Sequence, residues 1–205
     1  MAFLTDADRQ RIREAIRAAE HRTSGEFVTV VARASDSYLA TPILFAATAA
    51  LVLPAIAWLI GFRQHPAELY LAQIASFIVV LLLLLWPPLT RLVVPRRVQR
   101  HRAHRLAREM FHIRGLHRTR EGTGVMLFVS VLEHHVEIIA DHGINAKVGP
   151  EDWRQIVDRF TSAVRQGQIG DGFVAAIGSC GELLSRHFPR AADDRNELPD
   201  HLIEL

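Results

Sequence analysis

Apolar and polar positions along the chain fall into distinct regimes. From Leu39 to Phe62, 24 residues pass without a charge, and from Leu69 to Thr90 another 22 do so. At 1.5 Å per residue each run makes roughly 33–36 Å of helix, enough to span a hydrocarbon core of about 30 Å. The connector Arg63–Glu68 leaves room only for a tight helical hairpin. Tyr38, Trp58 and Phe62 on the first run, and Tyr70 and Trp86 on the second, stand towards the ends as interfacial anchors do. Pro54 falls inside the first run, where a bilayer-spanning helix tolerates a kink. Two buried helices of a soluble core would need far more surrounding chain than the rest of the 205 residues supplies.

The flanking segments are patterned differently. Residues 5–22 read as a helix: Thr5 and Asp8 are spaced as a capping box, and Ile12, Ala15, Ile16 and Ala19 share one face. Ser24-Gly25 breaks it, and Glu26–Arg33 is a short β-branched strand. Beyond the apolar runs, residues 97–114 form a basic helix with a narrow stripe of Ala103, Leu106, Ala107, Met110 and Ile113. Gly122-Thr-Gly124 opens a strand over Val125–Leu132, apolar on both faces as a central strand is. Glu133-His134 reads as a two-residue hairpin leading to a strand over Val136–Ala140. Pro150 starts a helix carrying Trp153, Ile156, Val157, Phe160 and Val164, and a last helix follows the loop Gly167–Gly172. From Pro189 the chain reads as an acidic tail in which Leu202, Ile203 and Leu205 could dock.

Charge sharpens this division. Residues 1–38 hold six Arg against six acids, residues 39–90 one Arg and one Glu, residues 91–120 ten Arg and one Glu, and residues 121–205 seven basic and fourteen acidic groups. The formal net charge of +2 and mean hydropathy of +0.12 average over these blocks. The single Cys180 excludes a disulfide scaffold, and the apolar content excludes a disordered chain. No cleavage-site pattern precedes the first run, so a secretory leader is not expected. Arg91, Arg96, Arg97, Arg100, Arg102, Arg105 and Arg108 crowd the exit of the second run, whereas the short connector has one Arg. The positive-inside rule then places both termini in the cytoplasm of a two-pass protein of the plasma (inner) membrane.

Strand 26–33 is too short to stand alone, and its partners lie beyond residue 123. Two crossings return the chain to its starting side, so the polar parts read as one α/β domain interrupted by a transmembrane hairpin. The expected parts are 4–38, the hairpin 39–90, the basic helix and remaining domain 91–188, and the tail 189–205. The stretches Ser24–Val31, Thr123–Leu132 with His135–Ile144, and Asp171–Ile177 resemble the TPM domain. That family is named for a thylakoid lumen protein, a photosystem II repair protein and a nematode acetylcholine-receptor modulator. The resemblance implies a small α/β/α sandwich around a mixed sheet. It also implies accessory roles in assembly or repair of membrane complexes, with calcium binding and weak phosphatase activity in some members. Many relatives are secreted with one anchor, and the inserted hairpin departs from that pattern.

For chemistry, Asp141 and His142 follow a strand end and Asp171 begins a helix after a glycine loop, so both positions could converge at one end of the sheet, where open α/β sheets bind ligands. Two carboxylates with carbonyls could hold Ca²⁺ or Mg²⁺, with Glu26 a third candidate. The competing reading is a turn aspartate and a helix cap. The histidines, including His101, His104 and the His134-His135 pair, read as solvated, because zinc needs a closed set with thiolate or carboxylate partners. Cys180, between Gly178 and Gly181, reads as helix packing. Arg91, Arg96, Arg97 and Arg100 are expected at lipid headgroups; without interleaved aromatics they are not expected to bind nucleic acid. Two functions remain open: an accessory protein that engages another membrane protein, or a divalent-metal phosphatase using Asp141 and Asp171.

Overall fold

The structure is a computed structural model and describes residues 3–61, 65–119, 121–190 and 201–205. In chain order the elements are α1 (Asp6–Glu20), β1 (Glu26–Ala32), α2 (Ala40–Leu59), α3 (Pro66–Leu84), α4 (Pro87–Val93), α5 (Arg96–Ile113), β2 (Gly124–Ser130), β3 (His135–Ala140), α6 (His142–Asn145), α7 (Pro150–Arg165), α8 (Ile169–His187) and β4 (His201–Glu204). A single 3-10 turn, Leu116–Arg118, precedes β2. The chain divides into two units, residues 36–101 and the remainder.

In the larger unit the strands form one mixed sheet in the order β3-β2-β1-β4. β1 runs parallel to both β2 and β4, and β3 is antiparallel to β2. Every residue of β1 and β2 is buried. Both faces are therefore covered, which is why these strands are apolar without alternation. On one face Phe27, Val31, Val125, Leu127 and Val129 pack with Ile12 and Ile16 of α1, Trp153 and Phe160 of α7, and Phe173 and Ile177 of α8. On the other, Val28, Val30, Met126 and Phe128 meet Ala103, Ala107 and Phe111 of α5. The sandwich inferred from sequence is present. Thr5 caps α1 with the expected box: its hydroxyl accepts from the Asp8 N–H at 3.1 Å, and the Asp8 carboxylate accepts from the Thr5 N–H at 3.1 Å. The Thr5 hydroxyl also donates to the Asp8 carboxylate at 2.6 Å, and this bond first, with the Thr5 N–H second, holds Asp8 below the usual carboxylate range.

Two local expectations change. The β2–β3 connection is not a two-residue turn: Ser130 pairs with His135, leaving Val131–His134 as a four-residue loop with His134 at φ 49°. Glu133 is drawn inward, where it accepts from the Ser130 hydroxyl and from the Ser35 N–H at 2.8 Å, so it cannot stand at a turn tip. The acidic tail also ends in a strand. β4 lies beside β1 with Val28 opposite His201, the Leu205 N–H donates to the Val31 carbonyl at 2.9 Å, and the Arg33 N–H donates to the Leu205 carbonyl at 3.0 Å. Leu202 and Ile203 pack on opposite faces of the sheet, and Leu205 stays 45% exposed. Residues 191–200 lie outside the described residues.

In the smaller unit α2 and α3 pack as a hairpin, 20 and 19 residues long. Most of their large apolar side chains are exposed: α3 fully buries no residue, with Leu69, Phe77, Val80, Leu81 and Leu84 half-buried, and α2 buries only Pro42, Ala46 and Pro54. Both helices are long and apolar enough to cross a membrane. The second run does not continue as one helix to Thr90. It ends at Leu84, because Pro87 and Pro88 lack the N–H groups that would extend it, and Pro87 instead begins α4. The Thr90 hydroxyl donates to the Leu84 carbonyl at 2.6 Å, and the Gln99 amide donates to the Arg91 and Val94 carbonyls, each at 2.8 Å. Trp58, Tyr70 and Trp86 are exposed, as anchors require, but Tyr38 is buried. Phe62, Arg63 and Gln64 lie outside the described residues.

Candidate functional site

The candidate residues are set by how strands and helices align end to end. Glu26 opens β1 opposite Gly124, and the Asp141 N–H donates to the Gly124 carbonyl at 2.9 Å. One edge of the sheet therefore carries Glu26 and Asp141 two strands apart, about 10 Å between backbones. Glu26 is buried, and its N–H donates to the Thr123 carbonyl at 3.1 Å. Asp141 caps α6: its Oδ1 accepts from the His142 N–H at 2.7 Å and lies 3.0 Å from His142 Nδ1. Its Oδ2 is buried without a hydrogen-bond partner among the described residues. Gly143 is required here, because a Cβ would strike the Glu121 carbonyl.

Asp171 lies at the opposite end. α1 and α8 run parallel, with Gly170 over Asp8 and Gly181 against Ala19, and α8 continues until Leu184 abuts Gly25 at the start of β1. Thirteen residues of helix, ~20 Å, separate Asp171 from that point. The expected convergence with Asp141 therefore does not occur. The cause is α7, which starts near the Asp141 end and hands over to α8 at the far end through a short turn. There the Asp171 carboxylate, 61% exposed, in the first turn of α8 pairs with Arg11 in the second turn of α1. The roles differ from the competing reading: Asp141, read as a turn aspartate, caps α6, whereas Asp171, read as the cap, is the third residue of α8, whose cap is Gln168. A calcium or magnesium ion takes six or more oxygens, which the paired carboxylates expected from sequence do not supply together. Among the described residues no group of three His, Cys, Asp or Glu side chains is arranged to hold a metal ion.

His101, His104 and His134 are exposed and His135 is half-buried, but two of them share a carboxylate. Glu137, on the α5 face of β3, has its Oε2 at 3.0 Å from His104 Nδ1 and 3.1 Å from His135 Nε2. Burial on its own would raise the Glu137 pKa, but the hydrogen bonds from His135 and His104 outweigh it and hold the carboxyl below its ordinary value. His135 and Glu137 are two apart on one strand and must share a face, a signal present in the sequence. The third member, His104, comes from α5 and has no such signature. At the far end of the sheet the Ser35 hydroxyl donates to Ser130 Oγ at 2.7 Å, and Ser130 donates on to Glu133. Ser130 is 1% exposed, so this relay ties the exit of β1 to the β2–β3 loop. Cys180 is buried and its thiol is pushed up to about 12, as a packing residue.

Arg91, Arg96, Arg97 and Arg100 are all exposed in the smaller unit. A shallow groove between α7 and α8 sets Arg159 and Arg186 beside Asp152 and Glu182, so it favours neither sign of ligand.

Residues 90–183 match the family described as the TPM domain. The NMR structure of BA42 protein from the psychrophilic bacterium Bizionia argentinensis is similar in fold. The TM-score is 0.62 at 21% identity, over 99% of this chain and 96% of that one. No curated protein matches the chain. α1 and β1 precede the matched residues, yet β1 is the central strand on which β2 and β4 both pair. Over residues 90–183, then, the chain matches the TPM domain, and its fold is like that of BA42 protein.

Proposed function

We propose that the protein is a membrane-anchored accessory protein, with its TPM domain on the cytoplasmic face of the inner membrane, that assists assembly, maintenance or regulation of a membrane protein complex. The observation that carries this reading is topological. β1 and β2 pair in register over Glu26–Ala32 and Gly124–Ser130, and the two exposed apolar helices lie between them in sequence. An apolar hairpin inserted between neighbouring strands of one sheet must leave and return on one side, as two membrane crossings do. The exposed Arg91, Arg96, Arg97 and Arg100 follow the second helix and suit anionic headgroups, each adding on the order of 1 kcal/mol near the surface. The phosphatase alternative asks one cation to bridge Asp141 and Asp171, and the fold sets them at opposite ends of α8.

The test is a topology reporter fused after Leu205, read together with co-purification in mild detergent. A cytoplasmic reporter and a recurrent membrane-protein partner are expected. A reporter outside the cell, or repeated recovery of this chain alone, would remove the reading.

A further inference from the structure

α7 and α8 pack as an antiparallel helical pair, and most of the charges along its outer groove find no partner within the chain. A Cβ on Gly172 would stand 3.2 Å from the Ala163 Cβ, so these two residues are level across the pair. Eleven residues back along α7 and eleven on along α8, Asp152 is level with Leu183 and beside Glu182. Seven residues from Asp152, ~10 Å nearer the α7–α8 turn, stands Arg159. The groove is therefore acidic at one level and basic at another, over a floor of buried Ile156 and half-buried Leu183. Arg159, Glu182 and Arg186 are exposed and make no ion pair among the described residues, while the Asp152 carboxylate accepts from the Gly149 N–H at 3.3 Å. Elsewhere on the same helices charges do pair, Arg154 with Glu151 at 2.6 Å and Asp171 with Arg11. Between the two charged levels a Cβ on Gly178 would meet nothing within 4 Å, so that part of α8 lies open.

We propose that this face docks a second copy of the chain across a two-fold axis, with α7 of one copy antiparallel to α7 of the other. The sign pattern selects both the occupant and the arrangement, because a surface carrying both signs is matched by its own inverted copy. A two-fold axis crossing the helices at Gln155 and Ile156 exchanges the levels of Asp152 and Arg159. Arg159 of each copy then enters between Asp152 and Glu182 of the other, and the contact is made twice. A guanidinium carries five N–H donors, enough to bridge two carboxylates. An axis along the helices would instead set Asp152 over Glu182 of the second copy, and juxtaposed like charges reject that arrangement. Arg186 stands one turn beyond the acids, outside the exchanged levels. Ile156 and Leu183 supply an apolar centre for a polar rim. None of these contacts requires α2 or α3 to enter a bilayer.

The experiment uses the full chain in density-matched detergent micelles. Sedimentation equilibrium over a range of protein concentrations reports association, and far-ultraviolet circular dichroism checks folding. Wild type is expected to dimerise reversibly and to dissociate as salt is raised to ~0.5 M, since exposed pairs are screened. Arg159→Asp is expected to weaken the dimer by ~10-fold or more, because attractions at both ends become repulsions. Asp152→Arg combined with Glu182→Arg is expected to weaken it as much, and Arg186→Ala hardly at all. Mixing the two charge-reversed proteins is the decisive arm. In the mixed pair every reversed charge meets its opposite, so a heterodimer as tight as the wild-type dimer is expected. Wild type that stays monomeric at every concentration would overturn the proposal and leave the face to a different protein. A dimer as tight in Arg159→Asp as in wild type would overturn it too, as would folded variants that do not associate when mixed. If the double variant does not fold, Arg159→Asp against wild type decides alone.

Discussion

Two glycines three residues apart in α8 make opposite demands, and substituting each with alanine tests how the domain is packed. A Cβ on Gly181 would stand 2.8 Å from the Ala19 Cβ and 3.2 Å from its Cα. Carbon atoms in ordinary contact are about 3.5–4.0 Å apart. Both atoms of Ala19 belong to a rigid helix, so Gly181→Ala must push α1 and α8 apart. Overpacking of this kind costs about 1–3 kcal/mol, and the better helix propensity of alanine offsets about 0.5–1 kcal/mol. The net expectation is a loss of ~0.5–2 kcal/mol. A Cβ on Gly178 meets nothing within 4 Å, so Gly178→Ala keeps only the propensity gain of ~0.5–1 kcal/mol. At roughly 2–4 °C per kcal/mol for a chain of this size, the two melting temperatures should differ by roughly 3–10 °C. The assay is thermal unfolding of the full chain in detergent micelles, followed by near-ultraviolet circular dichroism of the buried Trp153. Ala19→Gly in the Gly181→Ala background should recover part of the loss, because it removes the atom that is struck. A Gly181→Ala protein as stable as Gly178→Ala would refute the parallel α1–α8 contact.

The Glu137 cluster predicts a pH response. Because the folded carboxyl sits below its ordinary value of 4.5, its contribution is fully present above that value and fades as pH falls through the folded pKa. Glu137→Gln should cost about 1–2 kcal/mol at pH 7 and flatten the acid limb of urea midpoints between about pH 5 and 3; an acid limb identical to wild type would count against it. The separation of Asp141 and Asp171 predicts additive effects. Asp141→Ala should cost ~1 kcal/mol through the lost cap, and Asp171→Ala less than ~1 kcal/mol through its exposed ion pair. A coupling above ~0.5 kcal/mol between them in a double-mutant cycle, with or without millimolar calcium, would mean that they share a ligand after all.

Much of the protein is legible in its sequence where one residue pattern admits one physical solution. Uncharged runs of 24 and 22 residues are long and apolar enough to cross a bilayer, so two long apolar helices are legible before any fold is known. The capping residues Thr5 and Asp8, the stripe of α1 and the β-branched strands are likewise local facts, and the strand motifs carry the TPM resemblance. The end of the second helix was less legible, because Pro87-Pro88 interrupts a run that is still uncharged to Thr90.

What the sequence left open depends on distance along the fold. Asp141 stands two residues before a glycine and Asp171 between two, each near an element boundary, and nothing local says that parallel packing of α1 and α8 sends them to opposite ends. The meeting of His104 with Glu137 needs α5 laid across the sheet, a contact between residues 33 apart in the chain. β4 is four residues with no strand signature of its own. It forms because β1 presents an open edge and because the Arg9 guanidinium grips Glu204 at 2.5 and 3.0 Å. Local pattern settled the long helices, the first three strands and the two runs long and apolar enough to cross a membrane, since burial period and capping act within a few residues. Tertiary packing alone decided which side chains meet, since that depends on the direction in which each helix crosses the sheet.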